Sequence, residues 1–359
     1  MRRNQALAIA NLTRHQFYHR PKTSRGRGRP RSQDCIKVGT SVERKVSNQH
    51  VVSEMVRIDG HPDLSCGKKR MTCQLQLLGY KINIKKVERL MKENGLTKPK
   101  RRMAKKSYAR YRIVTPKEPL TVIEMDIKQV WITRERRSAY ILTVIDTFTR
   151  EVLAWTVGMS ITHKEVTLLW NQVINNHLEP AKMASRRVVI EVRNDGGPQF
   201  ASKAVQHYFK ENGLNQVFTH PYTPQENGHI ESFHNILSNS IEKEFFDLIE
   251  LENRLHMFYL MYNTKRCHTS TKGLPPSIFR KAWEKDLVEV SVDAKKRVKF
   301  KLTNPLYEIP GILSQGEHLA KKTGAKRTEL KQDGETNFPV INHLTPVYPS
   351  PLVASCLTN

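Results

Sequence analysis

Between Thr121 and Thr264 the hydrophobic period changes in an order that leaves few folds open. Thr121–Thr133, Ala139–Thr147 and Val152–Gly158 alternate and are rich in β-branched residues, the pattern of three successive strands. His163–His177 then switches to helical spacing, with Val166, Leu169, Trp170, Val173 and Ile174 on one face. Arg187–Val192 reads as a short apolar strand and Ser202–Asn212 as a helix capped by Ser202 and stopped at Gly213. Gln216–Thr219 is a further strand. Gln225 to about Phe246 and Leu251–Thr264 are helices. The succession β-β-β-α-β-α-β-α-α predicts a mixed five-stranded α/β sheet, a meander extended through helical crossovers. Beyond Trp283 the pattern fades to a strand pair at Val288–Lys301 and loop-like sequence.

Charge divides the chain differently. Lys and Arg outnumber Asp and Glu by 60 to 34, and residues 1–118 hold 30 of the former against 8 of the latter. So large a basic excess repels itself unless a polyanion neutralises it, and nucleic acid is the first candidate. A membrane is disfavoured. No run of 18 or more apolar residues occurs, and Met1-Arg2-Arg3-Asn4 is followed by no apolar stretch of signal-peptide length. Five scattered cysteines suggest free thiols in a reducing, intracellular setting. His61, Cys66 and Cys73 fit no common zinc spacing.

Two helical units are expected in the basic front end. Asn4–Tyr18 resembles the end of a helix-turn-helix, and Lys22–Arg31 follows as a basic linker. Arg25, Arg27 and Arg29 there are either solvated or laid in a narrow minor groove. In Lys68–Leu96, Met71, Leu75, Leu77 and Leu78 mark a helix ending at Gly79. Ile84, Val87, Leu90 and Met91 mark a second that stops at Gly95. Lys85, Lys86, Arg89 and Lys92 lie on the other face of that second helix, as in a helix that enters a major groove. The domains expected are 1–60 (partial helix-turn-helix and linker), 61–112 (helix-turn-helix), 115–283 (catalytic α/β core) and 284–359, of unknown role.

Three carboxylates sit where a sheet could gather them: Asp126 inside the first strand, Asp195 at the end of the fourth, and Glu231 in a helix. Charges drawn out of water unpaired are costly, and a divalent cation removes that cost. Two such ions can stabilise both oxygens of an in-line displacement at phosphorus. Blander roles are open to each: Asp195 as a turn residue before Gly196-Gly197, Glu231 on a solvated helix face, Asp126 paired with Lys128. Glu124, Asp146, Glu191 and Glu226 compete for the same part.

A resemblance bears on that choice. Asn194-Asp195-Gly196-Gly197-Pro198-Gln199-Phe200 resembles the second-aspartate motif of retroviral-integrase-like DDE enzymes, and Pro224 to His234 resembles their glutamate helix. Thirty-five residues lie between Asp195 and Glu231, the spacing characteristic of that group. Ile145 to Arg150 resembles a second-strand motif whose aspartate is not catalytic. Tyr262 to His268, with Pro275-Pro276, resembles the motif after the catalytic domain. His61 to Leu96 is similar to the helix-turn-helix of insertion-sequence transposases of family three. Ile123, Lys128 and Gly196 depart from residues common in the family.

The resemblance implies an RNase H-like core with Asp126, Asp195 and Glu231 as catalytic and metal ligands for two Mg²⁺ or Mn²⁺ ions. Asn227, Glu231 and His234, at i, i+4 and i+7, share one helix face, with Asn227 in a supporting role. It further implies a cytoplasmic, nucleoid-associated bacterial transposase, multimeric, acting on element terminal repeats and target DNA. Arg266 and His268 are expected as a phosphate contact beside the site or as solvated surface, with Arg266→Ala leaving stability nearly unchanged. A DNA-binding repressor without catalysis and a two-metal nuclease are the rival readings.

Overall fold

A computed structural model describes residues 3–13, 17–18, 32–39, 42–97, 116–186, 188–220, 224–293 and 298–314. Helix α1 (Arg3–Ile9) gives way to a turn at Asn11, whose φ is 52°. Arg25, Arg27, Arg29 and the basic stretch 101–112 lie outside the described residues.

Strands β1 (Asp34–Val38), β2 (Glu43–Ser47) and β3 (Tyr80–Lys81) form a small antiparallel sheet in the order β2-β1-β3. Helices α2 (Asn48–Asp59), α3 (Lys68–Leu77) and α4 (Ile84–Glu93) pack with it around Val51, Met55, Met71, Leu75, Tyr80 and Leu90. The pair α3–α4 stands where helical spacing put it. Gly79 joins them with φ of 90°, and a Cβ there would come within 2.4 Å of the Val38 carbonyl, so the turn requires glycine. Reading residues 1–60 as partial helix-turn-helix and linker omits β1, β2 and α2, whose buried Cys35, Val51 and Met55 belong to the same core.

The main sheet has strands β4 (Val122–Ile132), β5 (Arg137–Asp146), β6 (Val152–Gly158), β7 (Ile190–Asn194) and β8 (Leu214–Phe218) in the order β6-β5-β4-β7-β8. The β4–β5 and β5–β6 pairs are antiparallel, and β4–β7 and β7–β8 are parallel. This is the expected mixed meander-and-crossover α/β sheet. Helix α5 (His163–Val173) starts at a Thr162/Glu165 capping box and continues into a π turn, Ile174–Leu178. Helices α6 (Pro198–Ala201) and α7 (Lys203–Glu211) follow β7.

The long helix expected from Gln225 to Phe246 is shorter. A 3₁₀ turn, Pro224–Asn227, leads into α8 (Gly228–Ser238), and Glu244–Phe245 forms a sixth strand, β9, parallel to the far end of β4. Ser238 Oγ and Asn239 Nδ2 donate back to the carbonyls of His234 and Asn235 (2.8 and 2.5 Å), and this local bonding competes with continuing the helix. Helix α9 (Leu248–Thr264) and helix α10 (Pro276–Glu284) follow. Strands β10 (Val288–Val292) and β11 (Val298–Leu302) are the hairpin read at 288–301. Phe300 of β11 packs edge-on to Phe148 and Phe279, both at 4.9 Å, so this hairpin joins the folded body.

Side-chain alternation along β4 sets up the site. Ile123 and Met125 enter the core under α5 and α7, with Trp170, Val173, Val205 and Phe209. Val130 and Ile132 enter the opposite core under α8 and α9, with Phe233, Leu237, Leu255 and Tyr259. Glu124 and Asp126 share the face of Val130 and Ile132, and so point toward α8. Among the described residues no helix is long and apolar enough to cross a membrane.

Candidate active site and nucleic-acid interface

Two of the three expected carboxylates become neighbours through strand register. In the parallel β4–β7 pair, Glu124 stands opposite Arg193, and the same offset carries Asp126 opposite Asp195, just past the end of β7. The Ile127 N–H donates to Asp126 Oδ1 (2.7 Å) and the Gly197 N–H to Asp195 Oδ1 (3.0 Å). A Cβ at Gly197 would lie 3.0 Å from that same carboxylate oxygen, so glycine lets the loop fold over Asp195. Partial burial pushes the Asp195 carboxyl up. The Gly197 N–H opposes this, and the charge of Asp126 adds to it.

Helix α8 covers this edge. His234 Nδ1 lies 3.4 Å from Asp126 Oδ2, while His234 Nε2 is buried without a hydrogen-bond partner among the described residues. Glu231, in the first turn of α8, is exposed to solvent. Among the described residues no group of three or more His, Cys, Asp or Glu is gathered for a metal ion. The structure thus brings together Asp126 and Asp195, with His234 of α8 beside Asp126, and places Glu231 on the adjoining exposed face. A third carboxylate beside two that already repel each other needs a counter-charge. The donor set is hard, oxygen-rich and open to water, which suits Mg²⁺ or Mn²⁺. Asn227 is the buried N-cap residue of α8, and its side-chain oxygen has no partner among the described residues.

Glu124 was read only as a rival carboxylate, and its role is different. It is fully buried and holds the start of α8. Its carboxylate accepts from the backbone N–H groups of His229 (3.0 Å) and Ile230 (2.8 Å) and lies 2.7 Å from His229 Nδ1. Burial pushes this carboxyl up to about 7, opposed by the Ile230 N–H and by Arg150 and Arg193. Strand β4 therefore carries Asp126 and, two residues earlier, the anchor for the helix that carries Glu231.

The other rival acids are also occupied. Asp146 is fully buried and accepts from Leu120, Phe148 and Thr149 N–H groups and from the Thr149 hydroxyl, so it organises the turn after β5. Glu191 pairs with Arg193, and Glu226 bonds His220.

The basic residues expected to meet DNA divide. Lys85 and Lys92 are exposed on α4. Lys86 instead donates to the Asp34 carbonyl and to Ser32 Oγ, and Arg89 donates to the Ser32 carbonyl. Arg266 and His268 are not solvated surface: they are 7% and 8% exposed. Arg266 donates to the backbone carbonyl of Asp63, whose carboxylate is held by Arg254 at 2.7 Å. Removing Arg266 would leave that buried carbonyl without this bond, at a cost of about 1–3 kcal/mol, which corrects the expectation that Arg266→Ala is neutral for stability. Arg70, unremarked in the sequence, and Arg150, the last residue of the second-strand motif, stand in the same region.

Comparison with known proteins bears on both halves of the chain. Residues 116–224 match a family model described as an integrase core domain, 212–276 match a second model of that description, and 59–104 match an HTH-like domain. An uncharacterised protein of insertion element IS476 from Xanthomonas euvesicatoria is 29% identical over 201 residues, 55% of each chain. The chain thus spans about half the length of that curated relative. The putative transposase InsK of IS150 from Escherichia coli is 26% identical over 60% of this chain and 77% of its own. The transposase of IS904 from Lactococcus lactis is 25% identical over 67% of this chain and 99% of its own. Among solved structures, the catalytic core domain of BIV integrase aligns at 20% identity over 46% of this chain and 98% of that one, with a TM-score of 0.33.

Proposed function

We propose that this chain is an insertion-sequence transposase, of family three, that binds element ends through its helix-turn-helix and cuts and rejoins DNA at Asp126, Asp195 and Glu231. The observation that most supports the chemistry is the register that sets Asp195 beside Asp126 under the helix bearing Glu231. The integrase core and HTH-like matches, in the same order as the two units of the chain, support the assignment. Lys85 and Lys92 are the described α4 cations free to meet phosphates; Arg25, Arg27 and Arg29 would extend that contact. Paired DNA ends imply a multimer, and a location in the bacterial cytoplasm follows from the substrate.

Asp126, Asp195 and Glu231 would hold Mg²⁺ or Mn²⁺, which supplies charge neutralisation for phosphoryl transfer. The chain itself contributes positioning. Ile127 and Gly197 N–H groups orient the two aspartates, His234 buttresses Asp126, and Glu124 fixes the angle of α8. In the first step a water oxygen bonds to phosphorus as the bond to the 3′-oxygen breaks, and the departing oxygen leaves as a 3′-hydroxyl. In the second that hydroxyl attacks another phosphodiester, so one bond forms as one breaks.

The test is incubation of the full chain with a supercoiled plasmid carrying the element's terminal repeats, with and without Mg²⁺. Mg²⁺-dependent nicking at the repeat ends, followed by joined products, is expected. Binding without cleavage would favour a repressor, and cleavage indifferent to the repeats a nuclease.

A further inference from the structure

On the side of α8 away from Asp126 lies a cavity of about 730 Å³ between the front unit and the core. Arg70 of α3, Arg150 after β5, and Arg266 and His268 after α9 line it, with Ser232 and Asn235 of α8. No Asp or Glu is among its lining residues. Three atoms in this wall, Arg150 Nη1, Arg266 Nε and His268 Nε2, are buried with no hydrogen-bond partner among the described residues. Buried polar groups are ordinarily satisfied, so these three orphans show that the wall carries more cationic donors than its own acceptors satisfy. Guanidinium forks match phosphate oxygens better than any other side chain does.

We propose that this cavity grips the sugar–phosphate backbone of a single DNA strand next to the phosphodiester that reacts, an inference that rests on the transposase reading. Its volume lies in the range of small-ligand sites, ~300–1,000 Å³. A space of this size takes the backbone of one strand rather than a whole duplex. Position supplies the second argument. His234 lies on the Asp126 side of α8, Ser232, Ile236 and Asn239 line the cavity on the other, and Glu231, one turn before Asn235, stands on the exposed edge between them. Only the thickness of a helix, about 10 Å, separates a phosphate held here from the carboxylates. The electrostatics agree. Burial and the neighbouring Arg70 push the Arg266 guanidinium down to about 10, and burial with Arg266, Arg70 and Arg150 pushes the His268 imidazole down to about 3. A phosphate would relieve that repulsion.

The experiment measures binding of a short single-stranded oligodeoxynucleotide to the full chain and to Arg70→Glu across a salt series, with thermal stability recorded alongside. Glutamate at this position neutralises Arg266, so the melting temperature is expected to hold or rise. Affinity for the strand should nonetheless fall ~10-fold or more, the worth of a charge-assisted contact. The salt slope should drop by about 0.7 for the lost phosphate contact. Asn235→Asp, on the exposed side of the cavity, should weaken binding in the same direction and serves if Arg70→Glu does not fold. Unchanged affinity and slope in both variants would overturn the proposal. So would equal binding of the same strand with neutral methylphosphonate linkages, or displacement of the strand by an equal concentration of inorganic phosphate. The two readings fail separately. A chain that cleaves while Arg70→Glu binds normally loses the cavity alone, and one that never cleaves yet binds through Arg70 loses the transposase assignment alone.

Discussion

The two sides of α8 treat charge in opposite ways. Toward the sheet edge, Asp126 and Asp195 stand in partial contact with solvent, each fixed by a backbone N–H and open to further ligands. Toward the front unit, Arg266 and His268 are buried and carry orphaned nitrogens. An acidic edge that water can reach tolerates repulsion between carboxylates and awaits a cation. Basic groups drawn out of water hold their charges at a greater cost, which an anion offsets. On the proposed function, reacting DNA would supply the anion and metal the cation, on either side of one helix.

The strongest way to break this comparison is to neutralise the acidic side. Asp126→Asn, Asp195→Asn and Glu231→Gln keep shape and lose charge, and each should lower cleavage and joining by ~10³-fold or more. Retention of DNA binding in these variants, read by mobility shift, separates lost chemistry from lost fold. An active Glu231→Gln protein would remove that residue from the site.

Next in size is the helix between the two sides. Glu124→Ala strips the acceptor from two backbone N–H groups at the start of α8. A displacement of about 1 Å at a reacting group costs roughly 10²-fold. A rate loss of that order is expected, with DNA affinity little changed. Glu124→Gln, which keeps a carbonyl acceptor, should restore much of the rate. Equal loss in both would show that the charge of Glu124, not its placement of α8, matters.

This anchor was not legible in the sequence. Alternation placed Glu124 and Asp126 on one face of β4, and motif spacing singled out Asp126, Asp195 and Glu231. Nothing local distinguishes a carboxylate that caps a helix over one hundred residues away from one that binds metal. The five strands β4 to β8 and the crossovers of the core were largely readable because β-branched alternation and helical spacing are local signals. The end of α8 was misplaced because its stop comes from Ser238 and Asn239 bonding backward and from the pairing of Phe245 with β4, a tertiary gain. In the front unit, Val51, Met55 and Ile58 carried a helical period that charge obscured, and β1 and β2 are short and studded with Lys and Arg. The burial of Arg266 was not legible because it depends on a contact with Asp63, far away in the chain.

The basic side has a pH signature. The folded state keeps His268 neutral down to about pH 3, whereas an unperturbed imidazole takes its proton near 6.5. The unfolded chain therefore binds the proton first as pH falls. Stability from this residue is complete above about pH 6.5 and declines by ~1.4 kcal/mol per unit down to about pH 3. His177, pushed down to about 4 by burial and Arg280, adds a slope of the same sign. His268→Phe should flatten the urea-unfolding profile over this window and leave the His177 share. A profile as steep as that of the unsubstituted chain would place His268 in contact with solvent.

The smallest effects belong to the exposed α4 cations. Lys85→Ala and Lys92→Ala should each reduce the salt slope of duplex binding by about one, with little change in stability. Lys86→Ala should act differently, because its ammonium is spent on Asp34 and Ser32. It should lower the melting temperature while its effect on the slope stays below that of Lys85→Ala.

The central claim, that Asp126, Asp195 and Glu231 form one cation site, is tested most directly by calorimetric titration of the full chain with Mn²⁺. Saturable binding is expected in the unsubstituted protein, with heat largely lost in Asp195→Asn and in Glu231→Gln. Asp146→Asn, which disturbs only a buried turn, should melt earlier yet bind Mn²⁺ as before. Equal Mn²⁺ binding by the unsubstituted protein and Glu231→Gln, or loss of binding in a folded Asp146→Asn, would contradict the account.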